Sequence, residues 1–313
     1  MNNLNYKTIT AALALGIGLL AATSSPAATF NLTASSFVKT ITLPGGGTRD
    51  VLMWGFALNG GTPTVPGPAL TVPAGDTTLT INLTNALPEA VSLVIPNQNG
   101  YVRAGAEQTM IADSVGRMRA HSFVKEAAAG GAATYTWNNV TPGTYLYYSG
   151  SHSALQVQMG LYGVLSNDVG VNEAYSGVTY GAATTLVFGE IDFRIHDSVA
   201  NGSYGNAADP AAVKSMISIL PDIFLVNGEP YEAGDLVITG SPQLVRLVNA
   251  CFDERIPVVN GYHLALVAED GRKYGYPKPE NAINLPSLKT RDALISALPG
   301  TLKFYDRRFL VKK

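Results

Sequence analysis

The chain has 313 residues, 46% of them hydrophobic and only 14% charged, with a formal net charge of -2. Charge so sparse and so balanced excludes a nucleic-acid groove or an anionic membrane surface as the partner that organises it. The single cysteine, Cys251, excludes an internal disulfide and leaves a thiol that is either buried and inert or open to a partner or metal.

Residues 1–28 read as an export signal peptide. Lys7 gives a weakly positive start, residues 9–22 form an apolar run, and Ser25-Pro26-Ala27-Ala28 offers small residues for cleavage. The run is too short for a membrane span. The mature chain is expected to begin near Ala28 or Thr29 and to be periplasmic, secreted or held at the cell surface.

The remainder is longer than one compact core usually organises, so two domains are expected. Its abundance of Tyr, Thr, Val, Gly and Pro favours strands over long helices. Residues 37–43 lead into the turn Pro44-Gly45-Gly46-Gly47, and residues 51–58 into Asn59-Gly60-Gly61, whose central positions tolerate positive φ. Residues 78–83 alternate with period two, so Leu79, Ile81 and Leu83 face one core. Further strands are expected at 91–95, 132–137, 143–149 and 158–165. Short strands at this spacing indicate an antiparallel sandwich or barrel over residues 29–168.

Residues 169–182 have little periodicity and read as a linker, after which residues 183–313 form a second β domain. One helix is expected between Asp209 and Leu220, with Asp209 capping and Pro210 at the first helical position. Strands resume at 223–226, 236–239, 244–249, 263–269 and 302–305. The two halves look like copies of one architecture.

The order and spacing of several short motifs resemble the multicopper oxidase family. Trp54-Gly55, Val65-Pro66-Gly67-Pro68-Ala69-Leu70-Thr71-Val72, Gly75-Asp76-Thr77 and Asn85 resemble the opening of its first plastocyanin-like domain. Pro142-Gly143-Thr144-Tyr145-Leu146-Tyr147-Tyr148-Ser149-Gly150-Ser151-His152, then Gln156 and Gly160-Leu161-Tyr162-Gly163, resemble its end. Gly189-Glu190-Ile191-Asp192, the run from Phe224 to Tyr231 and Val245-Arg246-Leu247-Val248-Asn249-Ala250 resemble a middle domain. The resemblance implies an all-β fold of two tandem cupredoxin-like domains, Greek-key β-sandwiches, with the second cut short at its C-terminus. It also implies copper binding and oxidoreductase activity toward dioxygen.

That family holds a three-copper cluster with imidazoles paired as His-x-His, because alternate strand residues place two ring nitrogens on one face. A mononuclear copper takes a Cys thiolate beside a His-Cys-His string. This chain has four histidines, fewer than those sites need. The first His-x-His pair is expected within residues 92–98, which contain none. The resemblance carries over His152 alone, with Gly150 or Tyr148 at its partner position, while Cys251 has Ala250 and Phe252 as neighbours.

The expected metal ligands are therefore His152, with His121 as a second imidazole folded toward it, and the expected cofactor is a single copper. Met110 and Met118 flank His121 as soft donors or plain surface residues, and Tyr147, Tyr148 and Met159 read as core and rim. Asp192, Arg194 and His196 alternate, so on a strand they share one face as a structural network or an acid–base cleft. His263 reads as a strand-start residue, and no phosphate loop, zinc spacing or dinucleotide fingerprint is present. The expected function is that of a degenerate oxidase unable to reduce dioxygen alone. The alternatives are a non-catalytic interaction module, or one part of a split oxidase whose missing copper domain a partner chain supplies.

Overall fold

The computed structural model of the protein describes residues 26–310, apart from residues 104–108, 113–114, 123, 211 and 232–234. Most of the expected signal peptide, residues 1–25, lies outside the described residues. The first half runs through β1 (Ala27–Thr42), β2 (Thr48–Leu58), β3 (Leu70–Val72), β4 (Thr78–Asn85), β5 (Thr109–Ala112) and β6 (Met118–Ser122). It continues with β7 (Ala132–Asn138), β8 (Gly143–Tyr148), α1 (Ser153–Met159) and β9 (Tyr162–Asn167). A sheet of order β2-β1-β4-β7 faces one of order β3-β9-β8, and β5 with β6 forms a separate hairpin. Period-two alternation builds the core between the sheets. Leu79, Ile81 and Leu83 of β4 are buried, and β7 answers in register with Ala133, Tyr135 and Trp137.

The second half comprises β10 (Glu173–Tyr175), β11 (Val178–Thr179), β12 (Ala182–Ile191), α2 (Phe193–Ala200), β13 (Ile223–Val226) and β14 (Glu229–Pro230). After these come β15 (Asp235–Ile238), β16 (Gln243–Asn249), β17 (Pro257–Val259), β18 (Leu264–Glu269), β19 (Arg272–Glu280), β20 (Thr290–Ile295) and β21 (Gly300–Asp306). A seven-stranded sheet, β14-β13-β12-β16-β20-β18-β19, faces the three-stranded sheet β15-β21-β17. The wiring repeats. β1 lies between antiparallel β2 and parallel β4, which pairs β7. In the same way β12 lies between antiparallel β13 and parallel β16, which pairs β20.

The two sandwiches share an apolar seam. Met53, Val65, Leu146 and Tyr162 from the first pack with Val187, Ile191, Leu225 and Val248 from the second. Arg246 spans it, donating from Nη1 to Thr144 Oγ1 at 2.8 Å and from Nη2 to Asp168 Oδ1 at 2.6 Å. Residues 169–182 contain the β10–β11 hairpin, whose Ala174, Tyr175 and Val178 pack on Leu244, Val267 and Ala268. Among the described residues no helix is long and apolar enough to cross a membrane.

Local structure departs from the sequence reading in several places. Residues 91–95, expected as a strand, form only isolated bridges, Val91 to Ala127 and Val94 to Tyr148. The strand expected at 158–165 is split: α1 occupies Ser153–Met159 and β9 begins at Tyr162. Gly160 ends the helix at φ 119, where a Cβ would meet Trp54 O and Val65 Cγ2, each at 2.4 Å. Among the described residues of 209–220 no helix forms, and the segment runs through turns and bends. There the Ser215 hydroxyl accepts the Ile217 amide, a local bond that competes with helix formation. The capping expected at Asp209 occurs at Asp192, which accepts Arg194 N at 3.1 Å and starts α2. Asp192, Arg194 and His196 thus lie at a helix start, not along a strand. Helix α2 and the segment after it reach back to the first sandwich, where Ile195 and Met216 join its core.

Candidate functional site

Three chain segments meet around His152. β8 ends at Tyr148, and the chain turns through Ser149-Gly150-Ser151 to His152, the N-cap residue of α1. His152 takes φ 42, ψ 44, a left-handed conformation uncommon for a residue with a Cβ, and its side chain makes no capping bond. The imidazole therefore points away from the helix it begins. It meets His121, carried on β6, with ring centroids 6.3 Å apart, and Tyr204, from the segment after α2, at 5.9 Å.

Each imidazole has a carboxylate on its Nδ1 side. His121 Nδ1 donates to Glu126 Oε1 at 2.8 Å, and Ser151 Oγ donates to the same oxygen. Burial raises the Glu126 carboxyl, but the hydrogen bonds from Ser151, Thr109 and His121 outweigh it, and the net pKa lies below the usual carboxylate value. His152 Nδ1 lies 3.9 Å from Glu89 Oε1. Gln156 fixes Glu89 by donating to its Oε1 at 2.6 Å, while Gln156 Oε1 accepts from Ser149 Oγ at 2.5 Å. Partial burial lowers the His152 pKa, against the pull of Glu89 and with the help of nearby His121, so the ring stays neutral at neutral pH. For His121 the bonded carboxylate fixes tautomer and ring orientation, the usual support of a metal-ligating histidine, and leaves Nε2 to bind an ion; Glu89 lies beyond hydrogen-bond reach of His152 and acts on it through charge alone. Centroids 6.3 Å apart are at the outer limit for one ion bonded to a nitrogen of each ring at about 2 Å, a limit reached only in a near-linear arrangement.

The remaining positions around this turn are filled differently. Gly150 stands two residues before His152, and a Cβ there would lie 2.7 Å from Val94 Cγ1 and 3.0 Å from Ser92 Oγ. Gly150 thus packs directly against the alternate residues Ser92 and Val94, while His152 turns to His121, Tyr204 and Glu89. Of Ser92, Val94, Gly150 and His152, only the last bears an imidazole. Ser92 Oγ is bonded to Ser122 Oγ at 3.2 Å, and its amide donates to Ser149 Oγ at 3.4 Å. With one imidazole among them, and no room for a larger side chain at Gly150, the residues present do not fit a three-metal centre. Among the described residues no group of three or more His, Cys, Asp or Glu converges on a metal position.

The other residues read from the sequence are structural. Tyr147 and Met159 are fully buried in the first core, with the Tyr147 hydroxyl donating to Pro68 O at 2.7 Å. Met110 and Met118 are exposed on the β5–β6 hairpin. His196 is buried on α2, its Nδ1 2.7 Å from Leu52 O, and burial pulls its pKa down. Asp192 is saturated by Arg194 and the Leu220 amide. His263 is exposed ahead of β18. Cys251 is buried, and burial first, then the nearby Glu190 charge, push its thiol well above the ordinary value. Sequence reasoning did not single out Glu89, Glu126, Ser151 or Tyr204. Glu126 lies five residues beyond His121, a spacing without a signature on a strand, and no local pattern signals that Tyr204 folds back.

Residues 50–167 match the family model described as multicopper oxidase. No curated protein sequence matches the chain. Among solved structures, a multicopper oxidase, mgLAC, is similar with a TM-score of 0.64 at 19% identity, over 90% of this chain and 80% of that one. The blue copper oxidase from Nitrosomonas europaea gives 0.64 at 19% identity, over 90% and 79%. The copper nitrite reductase from the same organism gives 0.59 at 18%, over 91% and 90%. At these identities the likeness establishes the fold, which is all-β and cupredoxin-like.

Proposed function

We propose that this chain, a member of the multicopper oxidase family through residues 50–167, is an exported, degenerate copper protein. It holds at most one copper, between His121 and His152, and does not reduce dioxygen to water by itself. The observation that supports this reading is that Ser92, Val94 and Gly150, close packed beside His152, bear no imidazole, and that a Cβ on Gly150 would already lie 2.7 Å from Val94 Cγ1. The imidazole pair, with Glu126 bonded to His121 Nδ1 and Glu89 at 3.9 Å from His152 Nδ1, supports the single-ion part. Copper held there would supply one-electron redox chemistry. His121 and His152 would bind it, Glu126 and Ser151 would hold the His121 ring in place, and Glu89, fixed by Gln156, would balance charge beside His152. The depressed His152 pKa keeps a donor lone pair free below the pH at which an ordinary histidine protonates. The export part rests on the composition of residues 1–28.

Copper reconstitution of the purified mature chain tests the proposal. We expect no more than one copper per chain, lost in His152→Ala, and no dioxygen consumption with a phenolic reductant. Three or more tightly held coppers, or sustained oxygen uptake, would overturn it. Zero copper would remove the single-ion part and leave a metal-free interaction module.

A further inference from the structure

The second sandwich carries a charged cleft that the copper reading does not use. Glu269 and Arg272 pair across Asp270-Gly271, a two-residue turn in which both residues have positive φ, 48° and 74°, as a type I′ hairpin requires. This turn is pressed against the first sandwich: a Cβ on Gly271 would lie 2.1 Å from the Tyr145 hydroxyl. Docked so, it brings Arg272, Lys273 and Tyr274 together with Lys289, the carboxylates Glu269 and Asp270 and, from the first sandwich, Asn97 around a cleft of about 370 Å³. Asn97 has φ 65, a left-handed conformation its residue type accepts more readily than most.

Positive charge there exceeds what the local carboxylates neutralise. Asp270 accepts from Lys289 Nζ at 2.5 Å and from the Thr290 amide at 2.9 Å. Glu269 is held by Arg291 Nη1 at 2.5 Å and by the Tyr274 hydroxyl at 2.7 Å. Both acids are thereby engaged. Lys273 donates to Ser176 O at 2.6 Å, which leaves its other N–H groups free, and Lys278 Nζ stands 4.0 Å over the Tyr274 ring. Among the described residues, the exposed Arg272 guanidinium has no hydrogen-bond or ion-pair partner. Unspent cations around a concave surface concentrate the field on an incoming anion. A guanidinium fork beside ammonium groups matches an oxyanion with more than one charged oxygen.

The geometry points to this cleft as a binding site for a small, multiply charged oxyanion, a di- or tricarboxylate or a phosphate, held by Arg272, Lys273 and Lys289 against Asn97. Because the cleft draws on both sandwiches, the anion clamps the turn onto the first domain. Calorimetric titration of the full mature chain, without added copper and at low ionic strength, tests this with citrate, inorganic phosphate and acetate. We expect saturable binding of citrate or phosphate, much weaker binding of acetate, and a rise in Tm at saturation. Whichever of the first two binds tighter identifies the carboxylate or the phosphate class. Arg272→Gln, which removes no internal contact, should weaken the affinity about tenfold. Lys214→Gln, the same charge change at an exposed site, should leave it unaltered. Absence of saturable binding by citrate and phosphate at millimolar concentration, or equal weakening by both variants, would overturn the assignment.

Discussion

The two sandwiches end corresponding strands with the same device and then diverge. Asn85, closing β4, donates to Glu89 O at 2.8 Å and Ala127 O at 2.9 Å while its Oδ1 accepts the Leu87 amide at 2.9 Å. Asn249, closing β16, donates to Asp253 O at 2.8 Å and Leu285 O at 3.0 Å and accepts the Cys251 amide at 2.8 Å. Each asparagine ties the residue four positions on, the residue two positions on and a distant loop. By this correspondence Cys251 occupies the place of Leu87, a core position. In the first sandwich the loop beyond the asparagine turns outward to Glu89 and the histidine pair. In the second it turns inward: Arg255 and Glu190 form a 2.6 Å ion pair with both side chains 2% exposed. Burial pushes the Glu190 carboxyl up against the pull of the Phe252 amide and Arg255. One frame thus supports a solvent-facing imidazole pair at one end and a dry, charge-locked core at the other, so the frame alone does not dictate the chemistry placed on it.

The largest expected effect probes the inward-turned loop. Arg255→Met, which strands the Glu190 charge in the core, should destabilise the protein by about 3–5 kcal/mol in urea unfolding, with much of the loss restored by adding Glu190→Gln. A loss below about 1 kcal/mol would show that the second sandwich is not locked by this pair. Next come the paired asparagines. Asn85→Ala and Asn249→Ala should each cost roughly 2–4 kcal/mol, since each leaves buried backbone groups without partners. A silent Asn249→Ala would break the correspondence between the domains.

A smaller effect is expected from Glu126, whose folded pKa is depressed. Its contribution is present above the ordinary glutamate value and is lost as pH falls through the depressed one. Glu126→Gln should therefore flatten the acid limb of the stability–pH curve, and an unchanged limb would contradict the pairing with His121 and Ser151. The smallest concerns His152 itself, 36% exposed in its side chain. His152→Ala should shift stability by no more than about 0.5 kcal/mol while abolishing copper binding. A larger loss would mean the ring is part of the packing.

Much of the fold is legible in the sequence because period two is written plainly into it. The alternating Leu79, Ile81 and Leu83 and the glycine turn at 45–47 specify strands that the structure contains. Helix α1 is not legible: the apolar run Tyr162 to Leu165 behind it reads as a strand, and the break rests on the steric demand at Gly160, visible only when Trp54 O is in place. Asp209 carries the stronger capping pattern, yet Asp192 caps, because α2 buries Ile195 against the first core. For the site, His152 is readable from the motif around it. Its approach to His121 depends on β6 and on a left-handed residue, and the partners Glu89, Glu126 and Tyr204 come from separate segments. The packing of Ser92 and Val94 against Gly150 becomes visible only in the structure.

The central proposal is that the frame persists without the side chains that would hold a metal cluster. Anomalous diffraction at the copper edge, from crystals of the mature chain soaked in copper, tests it most directly. The account predicts at most one peak, between the His121 and His152 rings, and none beside Gly150. A group of peaks enclosed between Val94 and Gly150 would contradict it.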